Sequence, residues 1–172
     1  IETTIKHPLK QNIMEEILET VMQKLAQIPE LRWIDLNVGQ MSVQNPPVDY
    51  PCALVDITAI DHTTAGVQRQ IGDLQLEIEL YFIVRSPANT LAPGHLREQA
   101  FEHFAIVRKI YATLQNLSGE NFTGLTRVRT TRNKNYYPRA LTLTFRTTLE
   151  DRSAIPKYRK LTDIKPDIQI QK

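Results

Sequence analysis

The chain has one cysteine, Cys52, in 172 residues. One thiol cannot close an intramolecular disulfide, and no Cys or His pair stands at zinc-ligand spacing. The fold must therefore be secured by its core, and the cysteine usage fits a reducing compartment. Cys52 follows Pro51 and opens an apolar run, with no histidine near it in sequence to act as a base. It reads as a small buried apolar side chain rather than a nucleophile. Glycine is scarce, with 6 in the chain, and Gly66 and Gly72 are isolated, so no Gly-rich phosphate loop is present. No run approaches the roughly 20 apolar residues of a membrane span. Residues 1–10 lack the apolar core of a secretion signal, and because numbering opens at Ile1, residues upstream of it are expected. Charge is nearly balanced: 21 Lys and Arg face 19 Asp and Glu, a formal +2. Long-range electrostatics therefore announces neither nucleic acid nor membrane as a partner.

What is present is a clear order of elements. Asn12 and Glu15 have capping-box spacing. Met14, Leu18, Val21, Leu25 and Ile28 follow at steps of four and three, the stripe of an amphipathic helix that Pro29 closes. A short edge strand is expected between Arg32 and Val38, then a loop from Gly39 to Pro51 spaced by prolines, then a fairly central strand over Ala53–Ile60. Asp61–Gly72 reads as a long polar hairpin connection. Leu74–Val84 is the clearest strand: Leu74, Leu76, Ile78, Leu80, Phe82 and Val84 alternate with Gln75, Glu77, Glu79 and Tyr81, the period that sorts residues between two faces. After a loop over Arg85–Gly94, a second helix runs from about His95 to Leu117, with Ala100, Phe104, Val107, Tyr111 and Leu114 as its stripe. Thr123–Arg132 and Leu141–Leu149 close the sheet, with Leu141, Leu143, Phe145 and Leu149 inward and Thr142, Thr144, Arg146 and Thr148 outward. These elements predict an α+β fold: a two-layer sandwich of one mainly antiparallel four- to five-stranded sheet with two helices packed on it. The domain spans residues 1–150, and 151–172 form an extended C-terminal arm.

Reactive chemistry is hard to find. His7, His62, His95 and His103 stand in no metal-ligand pattern, so neither metal nor cofactor is expected, and no enzymatic activity. Glu77 and Glu79 share one side of a strand, where Asp56 and Asp61 could join them. A catalytic carboxylate pair is one reading; the solvated face of an antiparallel sheet is the stronger one. Arg127, Arg129, Arg132, Lys134, Arg139 and Arg146 cluster in or beside the last hairpin, with Tyr136 and Tyr137 in its turn. Such a cluster can bind nucleic acid. Pairing across strands or between subunits is favoured over that, given the near-neutral chain. The interface candidates are thus Glu77, Glu79, Arg127, Arg129, Arg132 and Arg146.

The layout of helix, short strand, proline-rich loop, long hairpin, helix and closing hairpin resembles the tail-terminator, or tail-completion, proteins of long-tailed bacteriophages. The segment Tyr50-Pro51-Cys52-Ala53-Leu54-Val55, where an aromatic and a proline open an apolar strand, belongs to that likeness, which covers roughly Ile13 to Leu149. The resemblance implies a non-enzymatic virion protein of the tail or neck, assembled in the bacterial host cytoplasm. It would form a homo-oligomeric ring, commonly of six copies, that caps the tail tube and joins it to the head–tail connector, with genomic DNA passing through. It also implies that the Asp61–Gly72 and Arg85–Gly94 loops touch neighbouring rings, that the glutamate face and arginine hairpin make subunit contacts or line a DNA channel, and that the C-terminal arm adds to a neighbour as a strand. Two other readings stay open: a small ligand-binding or enzymatic module with a carboxylate pocket around Asp56, Glu77 and Glu79, and a nucleic-acid adaptor using the arginine hairpin.

Overall fold

A computed structural model of the chain describes residues 12–83, 94–133 and 139–155. The Arg85–Gly94 loop up to residue 93, Val84, the turn at 134–138, and the arm from 156 onward lie outside the described residues, as does His7. Helix α1 (Ile13–Leu25) starts where the capping box predicts: the Asn12 side chain accepts from the Met14 N–H at 3.1 Å, and the Glu15 carboxylate accepts from the Asn12 N–H at 3.3 Å. Two of the orphan donors of the first turn are satisfied in this way. Its inward stripe is Ile17, Val21 and Leu25, continued by Ile28. The first turn differs from the expected stripe, since Met14 is 41% exposed and Ile17 takes the core position.

Strands β1 (Trp33–Leu36), β2 (Cys52–Thr64), β3 (Gln70–Phe82), β4 (Thr126–Asn133) and β5 (Arg139–Asp151), with helix α2 (Gly94–Leu114), complete the domain. The sheet order is β1-β2-β3-β5-β4. All neighbours are antiparallel except β1 and β2, which run parallel. The fold class is the expected α+β: two helices and one mostly antiparallel five-stranded sheet. Leu74, Leu76, Ile78 and Leu80 of β3 meet Leu141, Leu143 and Phe145 of β5 and the inward residues of both helices in one apolar cluster. Burial of each such side chain contributes roughly 1.5–3 kcal/mol.

The β2–β3 hairpin is longer than its sequence implies. Pairing continues out to Thr64↔Gln70, so the connection is residues 65–69 and not Asp61–Gly72. Gly66 at φ 138° and the Ala65 N–H bond to the Arg69 carbonyl at 3.0 Å close the turn. Residues 61–64 are polar because this end of β2 is exposed, and polarity alone mimics a loop. β5 runs alongside β3 to the tip, pairing Asp151 with Gln70.

The second helix corrects the expected stripe more fully. His103, Ile106, Ile110 and Leu114 are buried, whereas Phe104 is 54% exposed and Tyr111 36% exposed. Both sets obey three–four spacing, because apolar residues occupy most of the helix circumference. Spacing then cannot choose between them, and contact with the sheet does. The loop after α2 is fastened to α1: the Glu16 carboxylate accepts from the Glu120 N–H at 3.0 Å and from Asn121 Nδ2 at 2.7 Å. Gly119 is needed there, since a Cβ would collide with the Phe122 ring and the Glu16 carboxylate.

Candidate functional site

The helices cover one face of the sheet. Among the described residues the other is covered only at one end, where Met41, Val48 and Tyr50 of the β1–β2 connection pack on Cys52, Leu54, Tyr81 and Ala140. Burial pushes the Cys52 thiol up to about 11, the largest effect, against a smaller opposing hydrogen bond with the Tyr81 backbone. An uncharged, enclosed thiol has the structural role expected of it.

Beyond this cap the face is polar, and its register reads as rungs. One rung is Asp56–Glu77–Thr144–Arg129, from β2 through β3 and β5 to β4. The next is Ala59–Gln75–Arg146–Thr126, and the one after is Asp61–Asp73–Thr148. On the other side lies Leu54–Glu79–Thr142–Thr131. Asp56, Asp61, Asp73, Glu77 and Glu79 therefore make the β2–β3 half acidic, while Arg146 and Arg129 make the β5–β4 half basic. Strands are about 4.8 Å apart, so Glu77 and Arg129, two strands apart, stand roughly 10 Å from one another at the backbone. An open groove of about 440 Å³ crosses the middle, lined in part by Asp61, Asp73, Gln75, Thr126, Arg146 and Thr148.

Two β-bulges create this pattern. In a regular strand Asp56 and Asp61, five residues apart, point to opposite faces. The irregularity between Ile57 and Ala59 shifts the alternation and brings both onto the open face. In β4 the irregularity between Arg127 and Arg129 has the reverse effect, separating residues that would otherwise share a face. Arg129 opposes Thr144 on the open side. Arg127 opposes Phe145 on the helix side, where its guanidinium sits 4.1 Å from the centroid of the Tyr111 ring. Arg132, opposite Leu141, also belongs to the helix side, although it is exposed at the edge.

Of the six interface candidates, then, Glu77, Glu79, Arg129 and Arg146 come together on one face, and Arg127 and Arg132 do not join them. Sequence reasoning missed Asp73. It continues the polar alternation of Gln75, Glu77 and Glu79 by one step toward the N-terminus, and starting the strand at Leu74 left it out. Local bonds are modest: Tyr81 OH donates to Glu79 Oε2 at 2.6 Å, Gln75 Nε2 donates to Glu77 Oε1 at 3.2 Å, and Thr148 Oγ1 donates to Asp73 Oδ1 at 3.2 Å. Among the described residues the ion pairs are Arg69–Glu150, Arg152–Glu150 and Lys109–Glu30. The arginines beside Glu150, Arg152 foremost, hold its carboxyl below its ordinary range. Among the described residues no such pair joins the acidic half to the basic half.

Asp56, Glu77 and Glu79 are not among the residues that line the groove. Among the described residues no group of three or more His, Cys, Asp or Glu could hold a metal ion. His62 is exposed, and His103 is buried with its ring centroid 4.0 Å from that of Phe104. No helix among the described residues is long and apolar enough to cross a membrane.

No protein-family model matches the chain, and no curated protein matches it. Among solved structures, a chain of the virion of a native gene transfer agent (GTA) particle is similar, with a TM-score of 0.48 and 14% identity. The match covers 78% of this chain and 95% of that one.

Proposed function

We propose that this chain is a structural component of a phage-type virion, acting at the end of the tail tube by contact with other proteins and without turning over a substrate. The observation that carries the contact reading is the one-sided sheet. Helices complete one face, while the other presents a broad charged surface whose acidic and basic halves remain unmatched within the described chain. A surface of this kind favours a protein partner, because flat polar faces gain specificity from complementary charge. The order of elements and the Tyr50-Pro51 opening of β2, which resemble those of tail-completion proteins, support the place in the particle. In this reading the copies form a ring on the tube that meets the connector above it.

Deleting the coding sequence from the particle-producing strain tests this. The expected result is particles whose tails are of irregular length or fail to join heads, with normal particles restored by the wild-type chain. Particles of normal form without the chain, or its absence by mass spectrometry from purified wild-type particles, would overturn the reading.

A further inference from the structure

The outward side of α2 carries more apolar surface than a helix lying on a sheet needs. Phe101, Phe104, Arg108 and Tyr111 recur at steps of three, four and three, so they form one ridge along the helix. Phe101 is 50% exposed, Phe104 54% and Tyr111 36%. Ala105 and Ala112 lie beside the ridge and are exposed as well. On the inward side Ile106, Ile110 and Leu114 are buried in the core. A helix that is apolar on two sides has the pattern of one covered all round. Among the described residues the ring contacts of the ridge are its own neighbours: Phe101 with Phe104 at 6.0 Å between centroids, His103 with Phe104 at 4.0 Å, and Arg127 of β4 over Tyr111 at 4.1 Å.

One end of the ridge is cationic. Arg108 lies between Phe104 and Tyr111 in the spacing, and Arg127 lies on Tyr111. Neither has an ion-pair partner among the described residues. Lys109 differs, since Glu30 holds it on the flank toward the α1–β1 connection. Glu102, two turns earlier, shares that flank and not the ridge.

From these observations we propose that the outward ridge of α2 is a docking site for an amphipathic helix of a different protein. The apolar stripe of that helix lies along Phe101, Phe104 and Tyr111, and its carboxylates meet Arg108 and Arg127. From Phe101 to Tyr111 the ridge is straight and about 15 Å long at 1.5 Å per residue, a length that suits a helix laid along it. Ala105 and Ala112, two turns apart, leave hollows between the larger side chains where partner side chains can seat. A second copy is a poor occupant. Two such ridges face to face would bring four guanidinium groups to one seam with no carboxylate between them, and like charges so placed cost affinity. The site lies on the side of the sheet away from the charged open face, so it adds a second contact surface and does not rest on the virion reading.

Fluorescence anisotropy with two synthetic helical peptides and the full chain tests this. Both peptides carry leucine at the a and d positions of about three heptads; one has glutamate at the flanking positions and the other has lysine. The glutamate peptide is expected to bind, and the lysine peptide to bind at least about tenfold more weakly. Phe101→Ser with Phe104→Ser should weaken the glutamate peptide by about tenfold or more, because both aromatic anchors are lost. Arg108→Glu should shift preference toward the lysine peptide. These positions are exposed, so the variants should keep the fold, which circular dichroism verifies, and the milder Phe104→Ala should weaken binding in the same direction. Failure of both peptides to bind, equal affinity for the two, or binding unchanged in the variants overturns the proposal. So does a chain that forms dimers lost in Phe104→Ser, which would make a second copy the occupant. Binding that appears only after residues 156–172 are removed would assign the ridge to the chain's own arm, and overturns it too. Purified particles that lack the chain would end the virion reading and leave the peptide result standing.

Discussion

The two faces of this sheet are built by alternate residues of the same strands, yet they answer to different demands. On β5, Phe145 is fully buried beneath the helices while its neighbour Arg146 is exposed on the open side. On β3, Leu76 and Ile78 have no exposed surface, and Glu77 between them faces Asp56 across the strand pair. The helix face contributes stability by removing apolar area from water. The open face sets like charges opposite one another, which a surface selected only for stability would avoid. The contrast separates the half of the molecule that holds the fold from the half free to recognise something else.

Substitutions can sharpen or break that contrast. Phe145→Ala should have the largest effect, lowering unfolding stability by about 3–5 kcal/mol in urea titration; a loss near that of a surface residue would mean that the helix face is not the core. Gly119→Ala should cost about 1–3 kcal/mol, because its methyl must displace the Phe122 ring or the Glu16 carboxylate, and the same titration reads it. Asp61→Asn should act with the opposite sign, raising monomer stability by about 0.2–1 kcal/mol through relief of repulsion from Asp73. A destabilised Asp61→Asn would show that the acidic half is already satisfied within the chain. Arg146→Ala should change thermal or urea stability by no more than about 0.5 kcal/mol, although it lies next to the most sensitive position.

Much of the helix face was legible. The strict alternation from Leu74 to Phe82 marks a half-buried strand, and Leu141, Leu143, Phe145 and Leu149 are all buried as their spacing implies. Asn12 with Glu15 located the start of α1 to the residue. Less was legible where two patterns fit equally. Phe104 and Tyr111 have as good a helical spacing as Ile106 and Ile110, and only packing against the sheet decides which set is inside. Polar residues 61–64 resemble a loop because neither face at that end of the hairpin is deeply buried. The candidate surface was half legible: Glu77 and Glu79 on one face follow from period two, but Arg127 and Arg129 part company at a bulge that no local spacing announces.

The sequence by itself determined most of the helix and strand segments, the far end of the β2–β3 hairpin excepted, and which side of β3 and β5 is apolar, because those outcomes depend on neighbours within a few residues. Only the tertiary structure decided that Asp56, Asp61, Asp73, Glu77 and Glu79 gather on one half of the open face, with Arg129 and Arg146 on the other. That gathering depends on register and on two interruptions of alternation. Both are settled by pairing between strands distant in the chain, where a shift of one residue sends a side chain to the opposite face.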